Sequence, residues 1–162
     1  MDQIIARQFN KEDVNQLWQL MYELALFEGY DRDFMVTEES LVTHGLCEQP
    51  KFHCFVAHES EEDELLGMAV VHRIDWTFDL KPTLVLKELY VKADARGMKV
   101  GENLMKAVAK HANQIGAARV KWLVLNDNDK AKGFYKKIGA SVDTVWENWQ
   151  VDEAVISKLS NE

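Results

Sequence analysis

The sequence is poor in the features that mark secreted and membrane proteins. Its 162 residues include only two cysteines, Cys47 and Cys54, which is too few for a framework of several disulfides. No apolar run approaches the ~20 residues that a membrane-spanning helix needs. The N-terminus does not show the charged and then apolar pattern of a signal peptide. These absences favour a cytoplasmic protein with no membrane partner.

Positive charge is also scarce. The chain has 19 Lys and Arg against 27 Asp and Glu, so its net charge is −8. Such a surface repels nucleic acid and attracts small cations. With 47% hydrophobic residues, the length corresponds to one domain, residues 1–162, that can bury a sizeable core. We therefore expect a single globular domain whose partner is a small cationic molecule, with no nucleic acid.

The apolar periodicity predicts an α+β protein with a mixed α/β sheet. Strands are predicted over residues 4–9, 52–58, 65–74, 84–91, 119–125, 141–145 and 149–151. Helices are predicted from Asn10 and Asp13 to Gly29, and over residues 37–45, 102–115, 128–139 and 152–159. Antiparallel strands followed by a strand–helix–strand–helix half predict a mostly antiparallel sheet with helices on both faces.

Residues 84–115 combine a strand, a loop with glycines and a helix. The first N–H groups of a helix lack internal partners and lie at the positive end of its dipole, so such a loop can cradle a phosphate. The loop residues are Arg96, Gly97, Met98, Lys99, Val100 and Gly101. They fit neither of the common nucleotide-binding fingerprints. The spacing alone is equally consistent with a plain strand-to-helix turn that exposes an arginine.

Residues 128–140, NDKAKGFYKKIGA, form a second distinctive stretch. Asn128 is a good helix N-cap, and Ala131 and Phe134 have core spacing. Tyr135 follows near the end of the predicted helix, which stops at Gly139. On these residues alone, the stretch is also consistent with a short amphipathic helix that carries a surface tyrosine.

Together the two stretches resemble the GNAT superfamily of N-acetyltransferases. The family loop, Arg/Gln-x-x-Gly-x-Gly/Ala, is matched at Arg96 and Gly101, but Lys99 stands in place of the first glycine and would add positive charge. The family helix, Asn-x-x-Ala-x-x-Phe/Leu-Tyr-x-x-x-Gly, is matched throughout. The resemblance implies a GNAT-like fold, with a twisted sheet splayed at the coenzyme A strand, and acetyl-CoA as co-substrate without a metal. The implied cofactor-binding residues are Leu89, Tyr90, Val91, Arg96, Gly97, Met98, Lys99, Val100, Gly101, Glu102, Asn128, Ala131 and Tyr135.

Further segments resemble one branch of this superfamily, the spermidine/spermine (diamine) and thialysine acetyltransferases. The segments include LALFEGY, KFHCFVAH, LVLKELYV and FYKKIGAS. The branch implies a homodimer and a small polyamine, diamine or lysine-like substrate. The branch has a Glu-Asp pair where this chain has Lys87 and Glu88, so one carboxylate is replaced by a cation. This change favours a smaller amine over a spermine-like one. The implied substrate-binding residues are Phe27, Glu28, Lys87, Glu88, Glu147 and Trp149.

Acetyl transfer to an amine needs a base and an acid. A free amine has a pKa of about 10.4, so a carboxylate or a water must take its proton before attack. Glu88 is the first choice for the base, Glu28 is the second, and ordered water is an equal alternative in which Glu88 is only an electrostatic anchor. By resemblance, Tyr135 is the general acid that protonates the leaving thiolate. Direct attack needs neither cysteine as a nucleophile.

Three other interpretations compete with this one. His44, Cys47, His53 and Cys54 have ligand-like spacing, but neighbouring strand residues point to opposite faces, which argues against a zinc site. The departures at Lys87 and Lys99 are consistent with an acyl-CoA-binding module that has little turnover. A protein or peptide amine acetyltransferase is the third possibility, and it requires an open groove.

Overall fold

The computed structural model describes residues 3–60 and 62–162, in two compact units. The first unit ends at Leu123, and the second is Val124–Glu162. The first unit contains a sheet of five strands in the order of the chain: β1 (Ile4–Gln8), β2 (His53–Glu59), β3 (Gly67–Ile74), β4 (Thr83–Val91) and β5 (Arg119–Lys121). Neighbouring strands are antiparallel except for β4 and β5, which are parallel. The predicted mixed, mostly antiparallel sheet is confirmed.

Three α-helices pack in the first unit: α1 (Val14–Glu28), α2 (Glu38–Gly45) and α3 (Val100–Gln114). The residues that cap α1 and α2 are those expected from the sequence. Asn10 and Asp13 form a reciprocal capping box in the 3-10 turn that leads into α1. Gly29 ends α1 with φ +81°, a left-handed conformation that suits glycine. Thr37 caps α2 through a second box.

The helices lie on both faces of the sheet, as predicted. One core cluster joins α1 and α2 to strand residues such as Val56, Met68 and Val70. The other joins α3 to the opposite strand faces, including Ala69 and Val71. Because successive strand residues alternate in direction, β3 supplies neighbouring residues to each cluster in turn.

Strand β4 contains a β-bulge that the sequence analysis did not predict. Leu86 is paired with Val71 and Glu88 with Val70, so Lys87 has no partner residue on β3. A single extra residue reverses the side-chain alternation beyond it. Glu88 therefore faces the α1 side of the sheet instead of the α3 side on which Leu86 packs.

The ladder between β4 and β5 is short. It covers only residues 83–85 of β4, and beyond that point the described part of the chain places no strand against this edge. Strand β5 is accordingly three residues long and ends before the predicted residue 125. Beyond residue 85, β4 therefore has no ladder with β5, in agreement with the predicted splay.

The second unit contains α4 (Asp129–Lys137) and α5 (Glu153–Ser160), close to the predicted helices. Residues 141–151 form no strand, so the two predicted late strands are wrong. Val142, Val145 and Trp149 are largely exposed, and so they do not pack on a sheet face. The Asp143 side chain accepts a hydrogen bond from the Val145 N–H (3.1 Å), a local turn that competes with a strand ladder. Across the described residues, no helix is both long and apolar enough to span a bilayer.

Candidate active site

The strongest candidate site surrounds Glu88 on the α1 side of β4. The Oε2 atom of Glu88 is buried and has no hydrogen-bond partner among the described residues. Burial raises the pKa of Glu88, the charge of Lys87 lowers it in part, and the charge of Glu28 raises it further. A buried polar atom without a partner costs free energy, and such atoms in native proteins occur often at binding and catalytic sites. The geometry thus presents an acceptor atom for a donor that the chain does not supply.

The C-terminal end of α1 brings two further groups to this site. Burial raises the pKa of Glu28, and Lys87 opposes that shift. Tyr30 has its pKa raised to about 12 by burial and then by the charges of Glu88 and Glu28, so its phenol stays neutral. Gly29 lies between them and permits the turn. The structure therefore brings Glu28, Lys87 and Glu88 close enough to interact electrostatically.

Tyr30 is the residue at this site that the sequence analysis did not identify. It belongs to the segment LALFEGY, but the branch pattern used there stops at the Phe27–Glu28 pair. The available signal was its place one residue after the glycine that ends α1.

A hydrogen bond joins β4 to α1 two residues beyond Glu88 along the strand. The Tyr90 hydroxyl donates to Glu23 Oε2 at 3.0 Å. Burial and the Glu23 carboxylate raise the pKa of Tyr90. The Tyr90 side chain is thus bonded to α1. Only the Tyr90 backbone is then available to a ligand along the strand edge.

The predicted phosphate loop lies at the same end of α1. The Arg96 guanidinium lies 5.8 Å from the centre of the Phe27 ring, a cation–π contact. Its Nε donates to the Val91 carbonyl at 3.4 Å, which holds the arginine beside the end of β4. A predicted cofactor residue and a predicted substrate residue therefore meet in the structure.

Lys99 explains why the family prefers glycine in this loop. Both Gly97 (φ +87°) and Lys99 (φ +64°) are left-handed, a conformation that costs an ordinary residue about 1–2 kcal/mol. The lysine adopts it nonetheless, and its carbonyl accepts hydrogen bonds from the Asn103 backbone (3.0 Å) and side chain (2.9 Å). Lys99 gives α3 no side-chain cap, as the predicted phosphate cradle requires.

Five of the predicted site residues, Asn128, Ala131, Tyr135, Glu147 and Trp149, belong to the second unit. Asn128 caps α4 by accepting a hydrogen bond from the Ala131 N–H at 3.1 Å. Tyr135 lies in the last turns of α4, with its ring 5.5 Å from that of Phe134. The Trp149 indole donates to Glu147 at 2.9 Å, so this predicted pair is joined directly.

Two of the residues considered for zinc, His53 and Cys54, point to opposite faces of the sheet, as their neighbouring positions on a strand predict. Cys54 is fully buried in the α1-side core, and burial raises its pKa well above the usual thiol value. The ring of its neighbour His53 lies 4.7 Å from that of His111 on α3. In the described part of the chain, no three metal-ligating side chains are grouped. A thiol with a raised pKa is a poor nucleophile.

A mixed sheet whose β4–β5 ladder is short, with an acidic site on one side of β4 and a helix start without a side-chain cap after it, agrees with an enzyme that transfers an acyl group to an amine. The chain belongs to the acetyltransferase (GNAT) family, whose profile matches residues 13–140, and it is an N-acetyltransferase. It is 30% identical to the thialysine N-epsilon-acetyltransferase of Sus scrofa, over 92% of this chain and 91% of that protein. The Mus musculus enzyme of the same name is 31% identical, with coverage of 88% and 87%. Among solved structures, an integron cassette protein from the V. cholerae mobile metagenome aligns with a TM-score of 0.80 and 25% identity, over 98% of each chain.

Proposed function

We propose that the protein moves the acetyl group of acetyl-CoA to a primary amine of a small diamine, polyamine or lysine-like substrate. The observation that carries the proposal is the buried, unpartnered Oε2 of Glu88 beside the Glu28 carboxylate. An amine or ammonium N–H is the donor that such an acceptor lacks. The similarity to thialysine N-epsilon-acetyltransferases supports an amine at the end of a side chain.

Acetyl-CoA would bind along the open part of β4 and the loop that follows. Backbone groups of residues 89–91 would hydrogen-bond the amide-bearing pantetheine arm as a neighbouring strand would. Arg96 and Lys99 would neutralise the pyrophosphate together with the first N–H groups of α3. By resemblance, the coenzyme site includes Gly97, Met98, Val100, Gly101, Glu102, Asn128, Ala131 and Tyr135. The reaction as proposed uses no metal.

The chemistry is a direct transfer without an acyl-enzyme. The amine nitrogen attacks the thioester carbonyl carbon, a C–N bond forms, and the C–S bond breaks. The proton that the amine loses goes to Glu88, directly or through water. The thiolate that leaves takes its proton from the Tyr135 phenol. By resemblance, the residues proposed for amine binding are Phe27, Glu28, Lys87, Glu88, Glu147 and Trp149.

The raised pKa of Glu88 suits it to the role of base. A carboxylate with an ordinary pKa is a weak base, and efficiency improves as the pKa approaches the working pH. Burial, the largest cause of the shift, has the required direction. Glu28 is the second choice, because its pKa is raised by the same cause.

A panel of amines tests the proposal. Purified protein is incubated with acetyl-CoA and with diamines, polyamines, lysine-like amino acids and lysine-containing peptides, and release of free thiol is measured. We expect thiol release above the hydrolysis background with the small amines. Coenzyme A binding without turnover of any amine would indicate the acyl-CoA-binding module. A preference for peptides would indicate a protein acetyltransferase.

By resemblance we further propose that residues 1–162 form one N-acetyltransferase domain that acts as a homodimer in the cytoplasm. Light scattering at several protein concentrations would give a mass of twice 18.7 kDa for the dimer. A mass of one chain throughout would contradict it.

A further inference from the structure

The proposed reaction gives no reason for the positive charge of Lys87 at the Glu88 site. Lys87 is exposed, it is the extra residue of the β4 bulge, and it lies between the end of the β5 ladder and Glu88. Among the described residues, neither Lys87 nor the carboxylates of Glu28 and Glu88 take part in an ion pair. The site therefore combines one cation with two anions, and none of the three is neutralised by direct contact.

The charge of Lys87 acts within this site. It lowers the pKa of both Glu28 and Glu88, in opposition to the effect of burial. The ammonium is thus near enough to influence a ligand that approaches either carboxylate. A second ammonium group on that ligand would be repelled by Lys87, whereas a carboxylate would be attracted.

We propose that Lys87 is a specificity-determining residue that binds the carboxylate of an amino-acid acceptor. The enzyme then selects lysine-like or ornithine-like amino acids over diamines of equal length that lack the carboxylate. This inference rests on the proposed function and names the substrate class of the same site.

The difference in exposure between Glu88 and Lys87 determines which end of the acceptor enters the site. Glu88 is partly buried and its Oε2 atom is fully enclosed, so the amine that is acetylated enters toward it. Lys87 is exposed, so the carboxylate stays at the solvent end, where its desolvation costs little. A lysine side chain is a long, flexible stem with three donors, which lets it follow carboxylates at different distances from the reacting amine.

Paired substrates test the inference. The kcat/KM for L-lysine is compared with that for cadaverine, and the value for L-ornithine with that for putrescine, because each pair differs only by the carboxylate. Wild-type protein is expected to favour the amino acid about tenfold or more, the range of a charge-assisted contact. Lys87→Glu is expected to reverse the order, and Lys87→Gln to abolish the preference without reversing it.

Lys110→Glu is the matched control, since it makes the same change of net charge at an exposed position on α3. It should leave the ratio within each pair unchanged. A ratio that stays the same in Lys87→Glu, or a wild-type preference for the diamines, would overturn the role of Lys87 while acetyl transfer itself stands. If none of these amines and no other amine is acetylated, the proposed function fails and the inference fails with it. Circular dichroism of each variant confirms that it is folded.

Discussion

Glu88 is a single carboxylate on which two opposing effects act. Burial favours its protonated form, and the neighbouring Lys87 favours its charged form. The balance is a raised pKa, so the fraction of ionised Glu88 begins to fall at a higher pH than for an exposed glutamate. If ionised Glu88 takes the amine proton, turnover must fall on acidification over that higher range.

Glu88→Gln separates the role of base from that of anchor. If Glu88 is the base, kcat at neutral pH should fall by about 10²–10⁴-fold and recover in part at alkaline pH, where the amine loses its proton unaided. If Glu88 is only an anchor, KM for the amine rises and the pH profile keeps its shape. The measurement is kcat and KM between neutral and alkaline pH, with Glu39→Gln, an exposed glutamate on α2, as the control.

Tyr135→Phe tests the proposed acid. The change removes one hydroxyl and little volume, so the fold and acetyl-CoA binding should persist. General acid catalysis contributes about 10²–10⁴-fold, and kcat should fall by that order with little change in KM for acetyl-CoA. Tyr22→Phe is the control, because the Tyr22 ring stacks on Trp18 in α1. Near-normal turnover of Tyr135→Phe at every pH would show that solvent supplies the proton.

At the scale of elements, the residues at helix ends, both first and last, predicted the helix boundaries well. Asn10, Gly29, Thr37 and Asn128 all act as caps where the sequence placed them, since capping depends on local side-chain chemistry. Strand predictions were weaker. The apolar residues within 141–151 alternate as a strand would, yet alternation alone does not supply a neighbouring strand to pair with.

The β4 bulge shows why the site was only partly predictable. Nothing in the letters LVLKELYV marks an extra residue, because a bulge is a mismatch between two strands and not a property of one. The resemblance pointed to Glu28 and Glu88, and the structure shows that they interact electrostatically. Tyr30 joins them through the turn at Gly29, a three-dimensional relation that spacing in one helix does not reveal. The catalytic roles of these residues stay predictions.

The left-handed Lys99 allows a prediction about the loop before α3. A glycine at this position should make the folded protein more stable than an alanine does, because only glycine avoids the clash of Cβ at φ +64°. Lys99→Gly is expected to be about 1 kcal/mol more stable than Lys99→Ala, a difference of roughly 2–4 °C in Tm. At Lys110, within α3, we expect the opposite: Lys110→Ala should be more stable than Lys110→Gly by about 0.8–1 kcal/mol. Thermal unfolding of the four variants measures both differences. If the alanine variant is more stable than the glycine variant at both positions, the backbone at Lys99 is not strained.

At the scale of the whole molecule, two histidines connect α3 to the sheet. The His53 ring on β2 lies 4.7 Å from the His111 ring on α3, and His111 also packs 5.6 Å from Phe55. Burial lowers the pKa of His53, and the nearby positive charge of Arg73 lowers it further. Burial lowers the pKa of His111 as well, followed by the charges of His53 and Arg73. Three potential cations thus lie together where the helix meets the sheet.

This cluster predicts that the protein loses stability in mild acid. In the unfolded chain both histidines bind protons near pH 6.5, whereas in the folded chain they do so only at lower pH. The unfolded state then binds more protons below about pH 6.5, so the free energy of unfolding must fall as the pH drops through that value and level off below the folded pKa values. Urea unfolding between pH 8 and pH 5 measures this slope. Replacing both His53 and His111 by Gln should reduce the slope of unfolding free energy against pH, whatever the stability of the variant at pH 8. His44→Gln lies outside the cluster and should leave the slope unchanged. An equal slope in the double variant and in the wild type would show that other groups cause the acid sensitivity.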